Sequence, residues 1–234
     1  MKLIRICKLA IVMMAAGGLC LGGCADSKQA RNVDIGNTGI LGDYSMLKEG
    51  HADEGIRVYR NAHANWPGYT KIIIDPVLFQ KPENASEKYL ADLKRIAIEF
   101  FDRLHDQLSQ DYQLVTEPGP GTIRIQTALF NAKEKSVGRN LVSSVVPIGV
   151  GISVLKDATT GKPTAVGEIS VEAKVTDTRS GELLAAGIDR RVGQKYSSGT
   201  FDSWAEANEA VDYWAKQARF MLCKGRGGAD CIAP

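Results

Sequence analysis

Few residues of this 234-residue chain have the type and spacing to do chemistry, and the first is a thiol. Cys24 stands directly behind Leu21-Gly22-Gly23, after an uncharged, mostly apolar run from Leu9 to Cys20. Before that run, Met1-Lys2-Leu3-Ile4-Arg5-Ile6-Cys7-Lys8 carries three cations and no acid. A basic start, a short apolar run and small residues at its end mark a secretory signal. The run is too short to cross a bilayer, which takes about 20 apolar residues. Two further thiols, Cys223 and Cys231, enclose the flexible stretch Lys-Gly-Arg-Gly-Gly-Ala-Asp. In an oxidising compartment such a pair reads as a disulfide. In the entropy model so small a loop constrains the unfolded chain by about 2.5 kcal/mol. A metal site is the rival reading, but it has only two thiols, and His51, His63 and His105 are scattered without ligand spacing.

The tetrad Leu21-Gly22-Gly23-Cys24 resembles the lipobox of bacterial lipoproteins. That resemblance implies cleavage between Gly23 and Cys24, after the Cys24 thiol has taken a diacylglycerol. The freed amine is then acylated, with a chain such as palmitate. Small residues at 22 and 23 let the chain enter a narrow peptidase site extended, and the thiol supplies the nucleophile. One acyl chain binds a membrane marginally, at roughly 0.8 kcal/mol per buried methylene, whereas several anchor it. Ala25 follows where enteric lipoproteins retained in the inner membrane carry Asp, so the resemblance points to the outer membrane and its periplasmic face. Residues 1–23 are then the signal peptide and 24–40 (with ADSKQARNVDIGNTG) a lipidated flexible tether. Residues 41–234 form a single domain, long enough for one core.

Other chemistry is sparse. The chain has no Walker-type phosphate loop, no helical pair of metal-binding histidines and no Gly-x-Ser-x-Gly. Gly149-Val150-Gly151 lacks the strand and helix that a dinucleotide fingerprint needs. Asp75 and Asp189-Arg190-Arg191 are the best polar candidates, and their bland reading is solvated strand ends and ion pairs. Trp66, Trp204 and Trp214 could line a sugar-binding surface, but the last two share the apolar stripe of one helix, which favours core packing. No catalytic residue, cofactor or metal is expected. Three of the 29 Lys and Arg lie in the signal, which leaves 26 against 27 Asp and Glu. Near-neutral charge gives no reason to expect nucleic acid as a partner.

The elements that would position these groups are legible in outline. Residues 41–68 hold scattered apolar groups without a sustained period and read as an irregular lead-in. Tyr69 to Asp75 is a β-branched strand closed by Pro76. A helix follows, with Asn84 and Glu87 as its capping box and Leu90, Leu93, Ile96, Ala97, Phe100, Leu104 and Leu108 as its stripe. Tyr112 to Val115 is a short strand, and Pro118-Gly119-Pro120-Gly121 a break. Thr122 to Phe130 is a strand. Ile169, Val171, Ala173 and Val175 alternate with polar residues, as in a strand with one face to water. Asp177-Thr178-Arg179-Ser180-Gly181 turns the chain into Leu183–Val192. A last helix starts near Ser203. The expected class is α+β, a two-layer sandwich with a mainly antiparallel sheet packed against two helices.

Val58-Tyr59-Arg60-Asn61, Ile74-Asp75-Pro76-Val77, Pro118-Gly119-Pro120-Gly121 and Asp177-Thr178-Arg179-Ser180-Gly181-Glu182 resemble the lipoprotein family catalogued as domain of unknown function 3313. The resemblance covers roughly residues 40 to 222 and brings no activity or catalytic residue with it. The expectation is a non-enzymatic, outer-membrane-anchored envelope lipoprotein, acting as an accessory or interaction module with a protein partner or a second copy of itself. The alternative is a periplasmic carrier or sensor, with a small apolar ligand between sheet and helices.

The uncharged run Leu141 to Leu155 resists a bland reading. Pro147, Gly149 and Gly151 make it a poor membrane span. It is either two short core strands broken at Pro147, or an apolar flap in which Val145, Val146, Ile148, Val150 and Ile152 touch membrane or a partner. Val150→Asp separates the two. In a core segment it abolishes folding, read by circular dichroism. In a flap it leaves folding intact and lowers membrane or partner association.

Overall fold

The structure is a computed structural model that describes residues 27–31, 35–81, 85–130, 141–143, 168–193 and 203–234. The expected lipidation and cleavage residues Gly23 and Cys24 lie outside these, as do Val145, Val146, Ile148, Val150 and Ile152.

Alternating apolar residues drive the centre of the sheet. Strand β7 (Thr122–Phe130) lies antiparallel to β9 (Glu168–Asp177), which forms a hairpin with β10 (Leu183–Gly193). The turn between them is held by Asp177, whose Oδ1 accepts from Arg179 N and Ser180 N at 2.8 Å each. These donors hold the Asp177 carboxyl below the usual carboxylate range. Gly181 takes φ +72°, where a side chain is strained. Strand β4 (Lys71–Ile74) runs parallel to β7 on one side and to β6 (Gln113–Leu114) on the other, so Ile72 and Ile73 are buried. Short β5 (Leu78–Gln80) and β8 (Leu141–Ser143) extend the far end of β7.

Helix α1 (Glu87–Leu108) crosses between β5 and β6 and buries Leu93, Ile96, Ala97, Phe100, Leu104 and Leu108. Its cap is Ser86, whose Oγ accepts from Tyr89 N at 3.2 Å. The capping-box partner expected at Asn84 lies outside the described residues. Ser86 takes the role because it sits immediately before the first helical residue in extended conformation, where its hydroxyl reaches the third amide. Helix α2 (Ser203–Gly225) buries Ala207, Ala210, Val211, Trp214, Ala215 and Leu222. The two helices meet at Phe100 and Trp214, with ring centroids 6.1 Å apart, and are tied at their ends by Arg219–Asp111 at 2.6 Å. Cys223, in the last turn of α2, is bonded to Cys231 beyond it. Gly228 lets that loop close, since a Cβ there would stand 2.6 Å from Cys223 Sγ.

The class is α+β with a large mixed sheet and two helices, and the sheet differs from expectation in three ways. First, the lead-in supplies β2 (Lys48–Glu49) and β3 (Arg57–Arg60), with β3 antiparallel to β10. These edge strands are too short to show a period. Second, part of the stretch expected as a free tether is a strand: β1 (Ser27–Gln29) pairs with the end of β10, and Arg191 donates to Ser27 Oγ and to the Ser27 carbonyl. A polar composition does not prevent pairing where an open sheet edge offers backbone partners. Third, the polar face of β9 is covered. Glu172 is 0% exposed.

Glu172 is covered because residues 38–44 lie on it. Its carboxylate accepts from Thr38 N at 2.5 Å, Thr38 Oγ1 at 2.8 Å, Leu41 N at 3.2 Å and Tyr44 Oη at 2.6 Å. Burial, reinforced by that carboxylate, pushes the Tyr44 phenol above its usual range, which keeps it a donor. Lys174 adds a bond from Nζ to Ile40 O at 2.7 Å. The N-terminal segment therefore forms a layer on the face opposite the helices. Glu172→Ala leaves several buried donors without an acceptor. It is expected to lower stability by about 3 kcal/mol in urea titration and to open residues 36–47 to limited proteolysis.

A candidate ligand cavity between sheet and helices

The helix-facing side of the sheet has a trough. Registers place Thr127 of β7 opposite Ala173 of β9, Ala173 opposite Gly187 of β10, and Gly187 opposite Val58 of β3. One row across four strands is thus built of small side chains. The rows beside it are bulkier, as in Ile125 opposite Val175 and Leu129 opposite Val171. Helix α2 bridges the trough with Trp214, Gln217, Ala218, Met221 and Leu222, while Phe100 and Leu104 of α1 and Trp66 close its end. A mostly apolar cavity of about 190 Å³ results.

Polar atoms interrupt the apolar wall at defined places. Trp66 is 8% and Thr127 3% exposed, yet among the described residues Trp66 Nε1 and Thr127 Oγ1 have no hydrogen-bond partner, and neither does Gln217 Oε1. Asp189, opposite Val171, is 6% exposed. Its Oδ2 accepts from Trp214 Nε1 at 2.7 Å and its Oδ1 from Gln29 Nε2 at 2.5 Å. Burial raises the Asp189 carboxyl above the usual carboxylate range, and these two bonds oppose the rise.

Of the cavity's lining residues, Glu54, Gly55 and Val58 are half-buried and Arg60 is exposed. A strap of residues 50–55, two of which line the cavity, is held from both sides. Gln217 Nε2 donates to Asp53 O at 2.5 Å, and Lys224 Nζ is 3.3 Å from Asp53 Oδ2. From the other side Arg31 donates to Gly50 O at 2.8 Å and Glu54 O at 3.1 Å, while its Nε meets Gln29 Oε1 at 2.7 Å. The N-terminal segment thus reaches both the strap and Asp189. A second cleft of about 370 Å³ lies on the opposite face, between Ile35–Asn37, Tyr44, Leu47 and Arg57. Arg31 and Glu49 add further charge to its wall.

The candidates from the sequence distribute as follows. Asp75 pairs with Arg124 at 2.6 Å, as an ion pair at a strand end. Asp189, Arg190 and Arg191 are buried within β10 and are not solvated ends, because α2 and β1 cover that part of the strand. Trp66 and Trp214 are core residues that also wall the cavity, and the side chain of Trp204 lies outside the description. Gln29, Thr127 and the small-residue row are absent from the sequence candidates. Their one signal is Ala185-Ala186-Gly187 inside a strand, where small residues are depleted and a glycine often marks a close approach. Among the described residues no cluster of His, Cys, Asp and Glu could hold a metal ion, and no helix is long and apolar enough to cross a membrane.

No curated protein matches the chain. Among solved structures it is similar to the PelC dodecamer from Paraburkholderia phytofirmans, at 10% identity over 66% of this chain and 91% of that one, with a TM-score of 0.32. It is similar to a DUF4136 family protein from Bacteroides thetaiotaomicron VPI-5482, at 12% identity over 69% and 93%, with a TM-score of 0.33. A protein from Caulobacter crescentus CB15, provisionally named a lipoprotein, matches at 13% identity over 57% and 85%, with a TM-score of 0.32. Similarity at these scores carries no argument about this chain. The family model described as "Protein of unknown function (DUF3313)" matches residues 37–218, which takes in β2 to β10, α1 and most of α2, and the chain belongs to that family.

Proposed function

We propose that this protein is a non-enzymatic, lipid-anchored lipoprotein of the outer membrane that faces the periplasm and holds a small apolar ligand between its sheet and helices. The cavity beneath α2 carries this reading. Native interiors are close-packed, and voids larger than a water are few. A mostly apolar cavity of about 190 Å³ with Asp189, Thr127 and Gln217 among its lining residues has the form of a ligand site, in which an apolar lining supplies affinity and a few polar groups supply orientation. An engineered cavity of about 150 Å³ takes benzene, so the size suits a single ring or a short chain. The apolar run and lipobox at the N-terminus support the anchor. The uncharged stretch Leu141–Leu155 supports an accessory role, with a protein partner or second copy, as a second reading.

Two outcomes test the proposal. In its host the protein is expected to incorporate labelled palmitate, and Cys24→Ser to lose both the label and membrane retention. Unchanged processing and location of Cys24→Ser would remove the anchor. Separately, the chain from Ala25 onward, which contains every described element, is expected to respond to 1-hexanol through Trp66 and Trp214 fluorescence. Ala173→Leu fills the trough and should weaken that response by about tenfold or more while changing stability by no more than about 3 kcal/mol. No response from the unaltered chain, together with no bound mass in native mass spectrometry of protein from its own host, would end the carrier reading.

A further inference from the structure

The cavity's wall has a sign as well as a shape. Asp189 is the carboxylate buried in it, whereas Glu54 is half-buried and Arg60 exposed. Among the described residues the hydrogen bonds that Asp189 accepts come from neutral groups, the Trp214 indole at 2.7 Å, the Gln29 amide at 2.5 Å and the Arg190 backbone amide. The cation that pulls on it, Arg191, is turned to other work. Arg191 donates Nε to Ser27 Oγ at 2.9 Å and lies 3.6 Å over the Tyr213 ring. Arg190 is opposite Ser170 and by the alternation of β10 faces the other side of the sheet. A desolvated anion bonded to neutral donors is costly to keep charged, and a cation delivered into the same low-dielectric space gains the most from it.

We propose that Asp189 is the recognition group of this cavity and that its ligand is a small apolar amine, whose ammonium meets the Asp189 carboxylate while its hydrocarbon body lies along Val171, Ala173 and Gly187. The assignment rests on the carrier reading above and adds the charge of the ligand to it. The geometry suits a head and a tail. Asp189 stands one pair beyond the small-residue row, so an ammonium bonded to it directs its carbon chain into the trough. Trp214 donates to Asp189 from α2, and its ring also lines the apolar space, so head and body meet the same residue. A carboxylate-headed ligand would place like charges together in that space and is excluded on the same ground.

Three probes of equal chain length decide the matter: hexylamine, 1-hexanol and hexanoate, titrated at neutral pH into the chain from Ala25 onward. Hexylamine is expected to bind about tenfold or more tighter than hexanol, the margin that one charged hydrogen bond confers, and hexanoate weakest. Asp189→Asn is expected to bring the three to within about twofold of one another. Should that variant fail to fold, the Trp214 indole N–H resonance of the unaltered chain serves instead, assigned by its loss in Trp214→Phe. At saturation it should move several-fold further with hexylamine, which meets the acceptor of that N–H, than with hexanol, which meets only the ring. Equal binding of amine and alcohol would overturn the role of Asp189 and leave the carrier reading standing. Absence of binding by all three would overturn the carrier reading, and this inference with it.

Discussion

A carboxylate with no access to water organises the N-terminal third of this protein. Glu172 lies on a central strand of the sheet, and a lone buried anion there would cost several kcal/mol. It is tolerated because amides and hydroxyls of Thr38, Leu41 and Tyr44 converge on its two oxygens. The dependence is mutual. Those donors belong to an irregular segment whose backbone groups need partners as much as the carboxylate does. The segment so seated continues toward Arg31 and Gln29, which in turn hold Gly50 and Glu54 and reach Asp189. One buried charge on the outer face thus bears on the shape of the inner one.

The cavity has a different origin, in the absence of bulk. Sheets pack onto helices at a roughly constant distance, so a row of Ala, Gly, Thr and Val between rows of Ile, Leu and Val leaves space that α2 cannot follow. Helix α2 keeps its place through Trp214 against Phe100 and through its ties to Asp111 and Asp53. Large side chains flank the trough, and the row between them stays small.

The disulfide and the glycine within its loop fix the far end of the same helix. Gly228 packs against both sulfurs, and Gly225 packs against the Trp66 ring, where a Cβ would stand 3.3 Å away. Trp66 is therefore clamped between the 3₁₀ turn it begins and the last residue of α2. A ring held in this way presents a fixed wall to the cavity.

Local pattern by itself determined the longer elements. The stripes of α1 and α2, the alternation of β7 and β9 and the turn at Asp177–Gly181 all depend on neighbours within a few residues, and each was legible for that reason. The Cys223–Cys231 pair was equally local. Tertiary structure decided what those elements enclose. Thr38 and Glu172 are 134 positions apart and Gln29 and Asp189 are 160 apart, so no period or spacing could relate them. Strands β1, β2 and β3 carry too few residues to show alternation; β1 and β3 form because an edge of β10 offers unpaired backbone, and β2 because β3 then offers its own. The trough exists only once register sets Thr127, Ala173, Gly187 and Val58 side by side. Register is a property of strand pairing, and composition along any single strand does not contain it.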